Sequence, residues 1–182
     1  MITKQNARLE VYDNRKKLSK EGFNRQSGEV FQNLFNIEEF KNTKNLFLYS
    51  SIRNEVSTEL ILNYAIENNI TVHYPKVQGN VMYFYRVNSI SNLKKGYMGI
   101  LEPLDDLPIS DNKDGVIIVP GVAFDKEKSR CGYGKGFYDK YLSAHTNLVK
   151  IGICFEFQLY DSLEKDSHDI LMDYIVTEKM VY

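Results

Sequence analysis

The sequence predicts an α/β domain with a mostly parallel central sheet. Short apolar runs with strand character alternate along the chain with stretches whose apolar residues recur every three or four positions, and that alternation is the signature of βαβ units. The run VIIVPGVAF (116–124) is β-branched and almost continuously apolar, as a strand buried on both faces must be. The 182 residues suit one domain, residues 1–182, at about 150 residues per domain. A chain of this size buries roughly 70% of its unfolded surface, so neither a disulfide nor a metal is required to hold the core.

Residues 2–20 read as a first helix, since Ile2, Leu9 and Leu18 are spaced by polar residues with no Pro or Gly between them, and Gly22 is expected to end it. A second amphipathic helix carries Phe23, Ser27, Val30, Phe31, Leu34 and Phe35 on one face, with Gly28 as a weak point in its middle. LFLYSS (46–51) suits a short buried strand, and Ser57 or Thr58 can cap a helix through Glu67 with Glu59 in its first turn. ITVHYPKV (70–77) and VMYFYRV (81–87) flank Gly79-Asn80 as the arms of a hairpin. Residues 88–115, with Gly96, Gly99, Pro103 and Pro108, read as loop. After the strand at 116–124 come a Gly-rich turn, a helix carrying Phe137, Tyr141 and Leu142, and two further strands, VKIGICFEF (149–157) and DYIVTE (173–178).

Charge and composition remove several function classes. Lys and Arg total 23 against 24 acidic residues, a net charge of −1, which leaves no electrostatic footprint for generic nucleic-acid binding. No apolar run approaches the roughly 18 residues of a membrane span. The charged opening MITKQNARLEVYDNRKKLSK contains no signal-peptide apolar region. The two cysteines, Cys131 and Cys154, are too few for a disulfide framework and form no CxxC. A cytoplasmic protein without membrane or nucleic-acid partners is expected.

The segment from Asp125 to Asp139 carries most of the chemistry. Gly132, Gly134 and Gly136 allow the backbone to approach a ligand closely and turn its N–H groups inward. A helix starting near Gly136 would add its positive end, and Arg130 and Lys135 supply charge suited to phosphate. The pattern is neither a Walker A nor a dinucleotide GxGxxG, and a plain strand-to-helix turn remains the competing reading. Asp139 falls in the first turn of that helix, where compensation of the helix dipole competes with a role in holding Mg²⁺ on a nucleotide. Lys4 and Arg8 share a face of the first helix, with Arg15 near the same stripe, so they form either a solvated face or a phosphate clamp. Glu55 follows the first strand, at a carboxyl end where open sheets bind ligands. Tyr133, Phe137 and Tyr138 suit either core packing or stacking on a flat ligand. His73, His145 and His168 have no metal-ligand spacing, and no G-x-S-x-G elbow or Cys–His signature supports covalent catalysis.

In PGVAFD (120–125), Arg130, GYGKGFYDKYL (132–142), IGICFEFQ (151–158), HDI (168–170) and MDYIVTE (172–178), the chain resembles the 5-formyltetrahydrofolate cyclo-ligase family, also called methenyltetrahydrofolate synthetase. The likeness extends to GYMGILEP (96–103), SIRNEVST (51–58) and the Lys4/Arg8 pair, and so covers nearly the whole chain. Cys131, Phe137 and Leu163-Glu164 depart from the family's usual residues.

The resemblance implies a three-layer α/β/α fold and a monomeric ligase. It would use ATP and Mg²⁺ to convert 5-formyltetrahydrofolate to 5,10-methenyltetrahydrofolate, releasing ADP and phosphate. By position, Lys4 and Arg8 would contact the ATP phosphates, and Arg130, Cys131, Gly132, Tyr133, Gly134, Lys135, Gly136, Phe137 and Tyr138 would wrap the nucleotide. Ser50 and Glu55, with Tyr133 through Phe137, would line the folate pocket, and Asp139 and Asp173 would hold the metal. Lys4, Arg8, Glu55, Arg130, Lys135 and Tyr138 would carry the catalysis. A non-catalytic folate- or nucleotide-binding protein on the same fold is the alternative. An RNA-associated module, motivated by Lys126, Lys128, Arg130, Lys135 and Lys140, is opposed by the interleaved Asp125, Glu127 and Asp139.

Overall fold

The computed structural model describes residues 1–96 and 100–182; the YMG part of the resemblance, residues 97–99, lies outside the described residues. A six-stranded sheet runs in the order β11-β9-β6-β1-β2-β3. Its strands are β1 (Asn45–Phe47), β2 (Thr71–Gln78), β3 (Val81–Val87), β6 (Gly115–Val119), β9 (Leu148–Ile153) and β11 (Tyr174–Val176). All pair in parallel except β3, which returns antiparallel to β2 across the turn at Gly79, whose φ of 60° suits glycine.

Alternation along the strands builds two apolar faces. Leu46, Val116 and Ile118 pack on one side with α2 (Lys20–Leu34), α3 (Glu38–Asn42) and α4 (Glu59–Glu67). Phe47, Ile117 and Val119 pack on the other side with Leu142 of α5 (Phe137–Ala144). The result is the expected layer of sheet between layers of helix. A third apolar cluster joins Ala7 and Val11 of α1 (Lys4–Lys17) to Val122, Ala123 and Cys131.

Several boundaries differ from expectation, each for a local reason. The first helix is shorter than 2–20: Thr3 caps it by accepting the Asn6 N–H, and Ile2 bridges to Leu163. Gly22 does not end it. The chain breaks at Leu18, and Ser19 caps α2 by accepting the Gly22 N–H at 3.0 Å, so Gly22 lies in the first turn of the second helix. Gly28 leaves that helix unbroken, and Ser27, Val30 and Leu34 form its buried stripe. Thr58 stands at the N-cap of α4, but its hydroxyl donates to Tyr49 O rather than capping the helix. The stretch 88–115 contains a small two-stranded sheet of β4 (Leu93–Lys95) and β5 (Leu101–Pro103).

The run 116–124 is not one strand. It leaves the central sheet after Val119, turns at Pro120-Gly121, and re-forms as β7 (Ala123–Asp125) between β8 (Arg130–Cys131) and β10 (Leu159–Tyr160) in a second sheet. Proline cannot donate to a central ladder, which enforces the break. Likewise the strand expected at 149–157 stops at Ile153, and Glu156–Gln158 form a 3₁₀ turn.

His73, on β2, is buried against Phe47 at a centroid distance of 4.4 Å, with both ring nitrogens unpaired. Desolvation, reinforced by Arg86, lowers its pKa from 6.5 to about 4. The unfolded chain therefore binds this proton first, so the stability tied to the neutral ring is complete above pH 6.5 and is lost as pH falls toward 4. His73→Leu should shrink the stability difference between pH 7 and pH 4.5 by about 2 to 3 kcal/mol in denaturant titrations. Equal pH slopes for the two proteins would contradict this.

Candidate active site at the carboxyl ends of the strands

Strand order reverses between β1 and β6: the chain goes from β1 to β2 on one side and later places β6 on the other. Open α/β sheets bind ligands beyond the carboxyl ends at such a point. Here the ends of β1 and β6 open into a cavity of about 440 Å³. Every expected site residue except Cys131 and Asp173 lines it.

After β1 the chain makes a tight turn with Arg53 and Asn54 both at positive φ, 50° and 55°. Side chains seldom adopt that conformation, and here it delivers Glu55 back under the strand end. The Asn54 side chain fixes the turn by donating to Arg15 O at 3.0 Å. Glu55 is only 3% exposed. One of its oxygens accepts the Ile52 N–H at 3.0 Å and the other accepts the Tyr133 hydroxyl. Burial raises the Glu55 pKa, and Tyr133, the Ile52 N–H, Arg15 and Arg53 partly offset that rise. Ser50 Oγ accepts the Leu101 N–H at 2.9 Å, which ties the small β4–β5 sheet to this end of the cavity.

After β6, the Pro120 carbonyl accepts from Arg130 Nη1 at 3.3 Å and the Gly121 carbonyl from Arg15 Nη2 at 3.0 Å. Arg130 Nη2 also donates to Asp139 Oδ1 at 2.7 Å, and its guanidinium lies 5.7 Å from the Tyr138 ring centroid. This clamp bridges the two ends of the glycine-rich loop. Gly134 and Gly136 take φ of 88° and 66°, and a Cβ on Gly132 would fall 2.8 Å from Arg130 Nη1. Gly136 heads α5 without a side-chain cap, so the first N–H groups of that helix are free for an anion. Lys135, exposed on the loop, has no ionic partner among the described residues.

Helix α1 lies along the loop. Arg8 Nε donates to Gly132 O at 2.9 Å. Lys4 Nζ is held 2.6 Å from both Asp166 and Asp169. Burial pulls the Lys4 pKa down, but hydrogen bonds to the two carboxylates outweigh it and the net shift is upward.

Two expectations are corrected. Cys131 sits wholly buried among Ala7, Val11 and Leu163, and burial raises its thiol pKa, so it packs rather than binds. Asp173 precedes β11 and therefore stands at the amino end of the parallel strands, where it accepts from Lys150 N and pairs with Lys150 Nζ at 2.7 Å. It does not meet Asp139. Among the described residues no group of three metal-ligating side chains exists. Mg²⁺ is commonly held by one or two carboxylates together with substrate phosphates. Asp139, whose second oxygen has no hydrogen-bond partner among the described residues, fits one such contact beside the loop.

Sequence reasoning gave no site role to Asp166, nor to Asp169, which it quoted only within HDI (168–170); both reach the cavity on a loop with no periodic pattern. It placed Arg15 near the Lys4/Arg8 stripe and not beside Glu55. Ala7, Val11 and Arg15 form the buried stripe of α1, and an arginine continuing an apolar i, i+4 row was the available signal.

The model of the 5-formyltetrahydrofolate cyclo-ligase family matches residues 1–178. A probable 5-formyltetrahydrofolate cyclo-ligase of Schizosaccharomyces pombe is 34% identical over 174 residues, covering 86% of this chain and 85% of that protein. The 5,10-methenyltetrahydrofolate synthetase of Aquifex aeolicus superposes with a TM-score of 0.86 at 38% identity, covering 98% of this chain and 91% of its own. A 5,10-methenyltetrahydrofolate synthetase from Mycoplasma pneumoniae gives 0.78 at 26% identity, covering 96% and 98%. No helix among the described residues is long and apolar enough to cross a membrane.

The side chains of Arg130 and Asp139 are 6% and 21% exposed, so neutralising the carboxylate leaves a guanidinium poorly solvated. Asp139→Asn should cost roughly 1–3 kcal/mol of folding stability in denaturant titration, in addition to any effect on ligands. Wild-type stability would contradict the clamp.

Proposed function

Because the chain belongs to the 5-formyltetrahydrofolate cyclo-ligase family, we propose that this cavity is where it performs that family's reaction. The enzyme is an ATP-dependent ligase that converts 5-formyltetrahydrofolate to 5,10-methenyltetrahydrofolate with release of ADP and phosphate. The observation that carries the assignment is that a glycine-rich loop leading into an uncapped helix start and a buried carboxylate line one cavity.

A formamide oxygen is a poor leaving group. Transfer of the γ-phosphoryl of ATP onto it, with departure of ADP, turns that oxygen into phosphate. The neighbouring anilino nitrogen then attacks the activated carbon and loses its proton, and the C–O bond breaks as phosphate leaves. The folate supplies both nucleophiles, so no Ser–His or Cys–His pair is required. The protein's task is to align two ligands and offset phosphate charge.

The division of labour follows the geometry. The N–H groups of Gly132 through Gly136 and the start of α5 receive the triphosphate, with Arg8, Lys135 and Lys4 around it. Arg130 holds the loop in shape from below while facing the nucleotide. Tyr133, Phe137 and Tyr138 offer flat surfaces, and Glu55 with Ser50 receives the folate. Mg²⁺, when bound, would offset charge on the phosphate oxygens, with Asp139 as its protein contact. Both cysteines are free and buried, which supports a cytoplasmic setting.

The test is the near-ultraviolet absorbance of purified protein with 5-formyltetrahydrofolate, ATP and Mg²⁺. A band from the conjugated methenyl cation should grow only when all are present. Binding of both ligands without that band would favour a non-catalytic binding protein. In the same assay, Lys4→Ala should raise KM for ATP by roughly 10- to 100-fold, because it removes a charged contact and exposes two carboxylates to the phosphates. Folate affinity should stay within about twofold of wild type, since Lys4 stands on the phosphate side. An equal loss of folate binding on titration would contradict the placement of Lys4.

A further inference from the structure

The buried guanidinium of Arg15 has no counterpart in the roles assigned so far. It is 3% exposed and sits at the last turn of α1. Its Nη1 donates to the Tyr133 hydroxyl at 3.1 Å and lies 4.0 Å from Glu55 Oε1, while its Nη2 donates to the Gly121 carbonyl at 3.0 Å. Tyr133 in turn donates to that same Glu55 oxygen. One side chain therefore touches the glycine-rich loop and the end of β6, and it stands beside the Glu55 turn; its own backbone carbonyl is the acceptor for Asn54 in that turn. Burying an arginine is unfavourable unless its charge is matched, and Glu55 is the carboxylate that matches it.

We propose that Arg15 is a positioning residue for the folate half of the reaction: it keeps Glu55 ionised and oriented beneath the cavity, and couples it through Tyr133 to the loop that receives ATP. The inference rests on the reading of the cavity given above. Each Glu55 oxygen already accepts one bond, from Ile52 N or from Tyr133. A carboxylate oxygen has a second lone pair, so both can still accept N–H donors of a pterin ring. A protonated Glu55 would lose part of that capacity. The groups facing it are Arg15 from α1, Tyr133 from the loop, Arg53 in its own turn, and the tyrosines Tyr49 and Tyr138, whose hydroxyls are held neutral by burial first and by Glu55 second. Arg15 is the buried cation among them, and its charge adds to the hydrogen bonds from Tyr133 and Ile52 that oppose the desolvation of Glu55.

The experiment compares wild type with Arg15→Met, Arg15→Gln and Arg15→Lys in the full chain, each first checked for a cooperative thermal transition. Arg15→Met and Arg15→Gln should raise KM for 5-formyltetrahydrofolate at least roughly tenfold and leave KM for ATP within about twofold. The acid limb of kcat/KM for folate should move to higher pH, since that limb reports the free enzyme. Arg15→Lys should restore the limb, because the charge returns. A folded Met or Gln variant with a wild-type acid limb, or with equal losses toward both substrates, overturns the proposal. If Arg15→Met does not fold, Arg15→Gln against Arg15→Lys decides by the same criteria; if neither uncharged variant folds, Tyr133→Phe must show the raised limb and the folate-selective loss, or the coupling falls. A wild type that forms no methenyl product would overturn the catalytic reading instead. In that case fluorescence titration of 5-formyltetrahydrofolate against pH decides: an acid limb of binding that rises without Arg15 supports the clamp, and identical binding, or none, overturns it.

Discussion

The break in β6 at Pro120-Gly121 is the constraint on which the site depends. A strand buried on both faces ends there because proline cannot continue a central ladder, and the chain crosses to a second sheet. Two backbone carbonyls are left at the carboxyl end of the sheet without strand partners, and buried carbonyls require donors. Two guanidinium groups supply them: Arg130 to Pro120 and Arg15 to Gly121. Each arginine then has nitrogen left over. Arg130 places it on Asp139 and Arg15 places it on Tyr133, so both hold the glycine-rich loop, and Arg15 in addition stands beside Glu55. A fault in one strand thus becomes the joint between the two halves of the cavity.

Charge in the cavity is arranged rather than merely abundant. Lys4 is matched by two aspartates and Arg130 by one, while Arg8 and Lys135 have no ionic partner among the described residues. The paired cations are held in fixed positions at the cavity, while Arg8 and Lys135 carry charge that no carboxylate among the described residues offsets. Such preorganisation means that little of the binding energy is spent on arranging the protein, which is what a reaction dependent on alignment requires.

What the sequence made legible was local chemistry. Gly79-Asn80 between two β-rich runs specified a hairpin, and alternation of strands with amphipathic helices specified the sheet. Three glycines marked a tight turn, and Gly134 and Gly136 do take positive φ, which glycine adopts without strain. What stayed hidden was decided by tertiary context. Gly22 could be a stop or a first-turn residue, and Ser19 settled it by capping from the other side. Asp173 was assigned by resemblance, but its position before rather than after β11 puts it at the wrong end of the sheet. Arg15 was read as part of a polar stripe because its partners lie far away in sequence, at Gly121 and Tyr133.

The central claim is that this cavity holds the γ-phosphoryl of ATP against the formyl oxygen of the folate. The most direct measurement uses 5-formyltetrahydrofolate carrying ¹⁸O in its formyl group and follows the label by mass spectrometry of the inorganic phosphate released in unlabelled water. The label should appear in phosphate in step with formation of the methenyl product. Unlabelled phosphate, with the heavy oxygen recovered in water, would mean that ATP is hydrolysed without activating the formyl group, and would contradict phosphoryl transfer to that oxygen in this cavity.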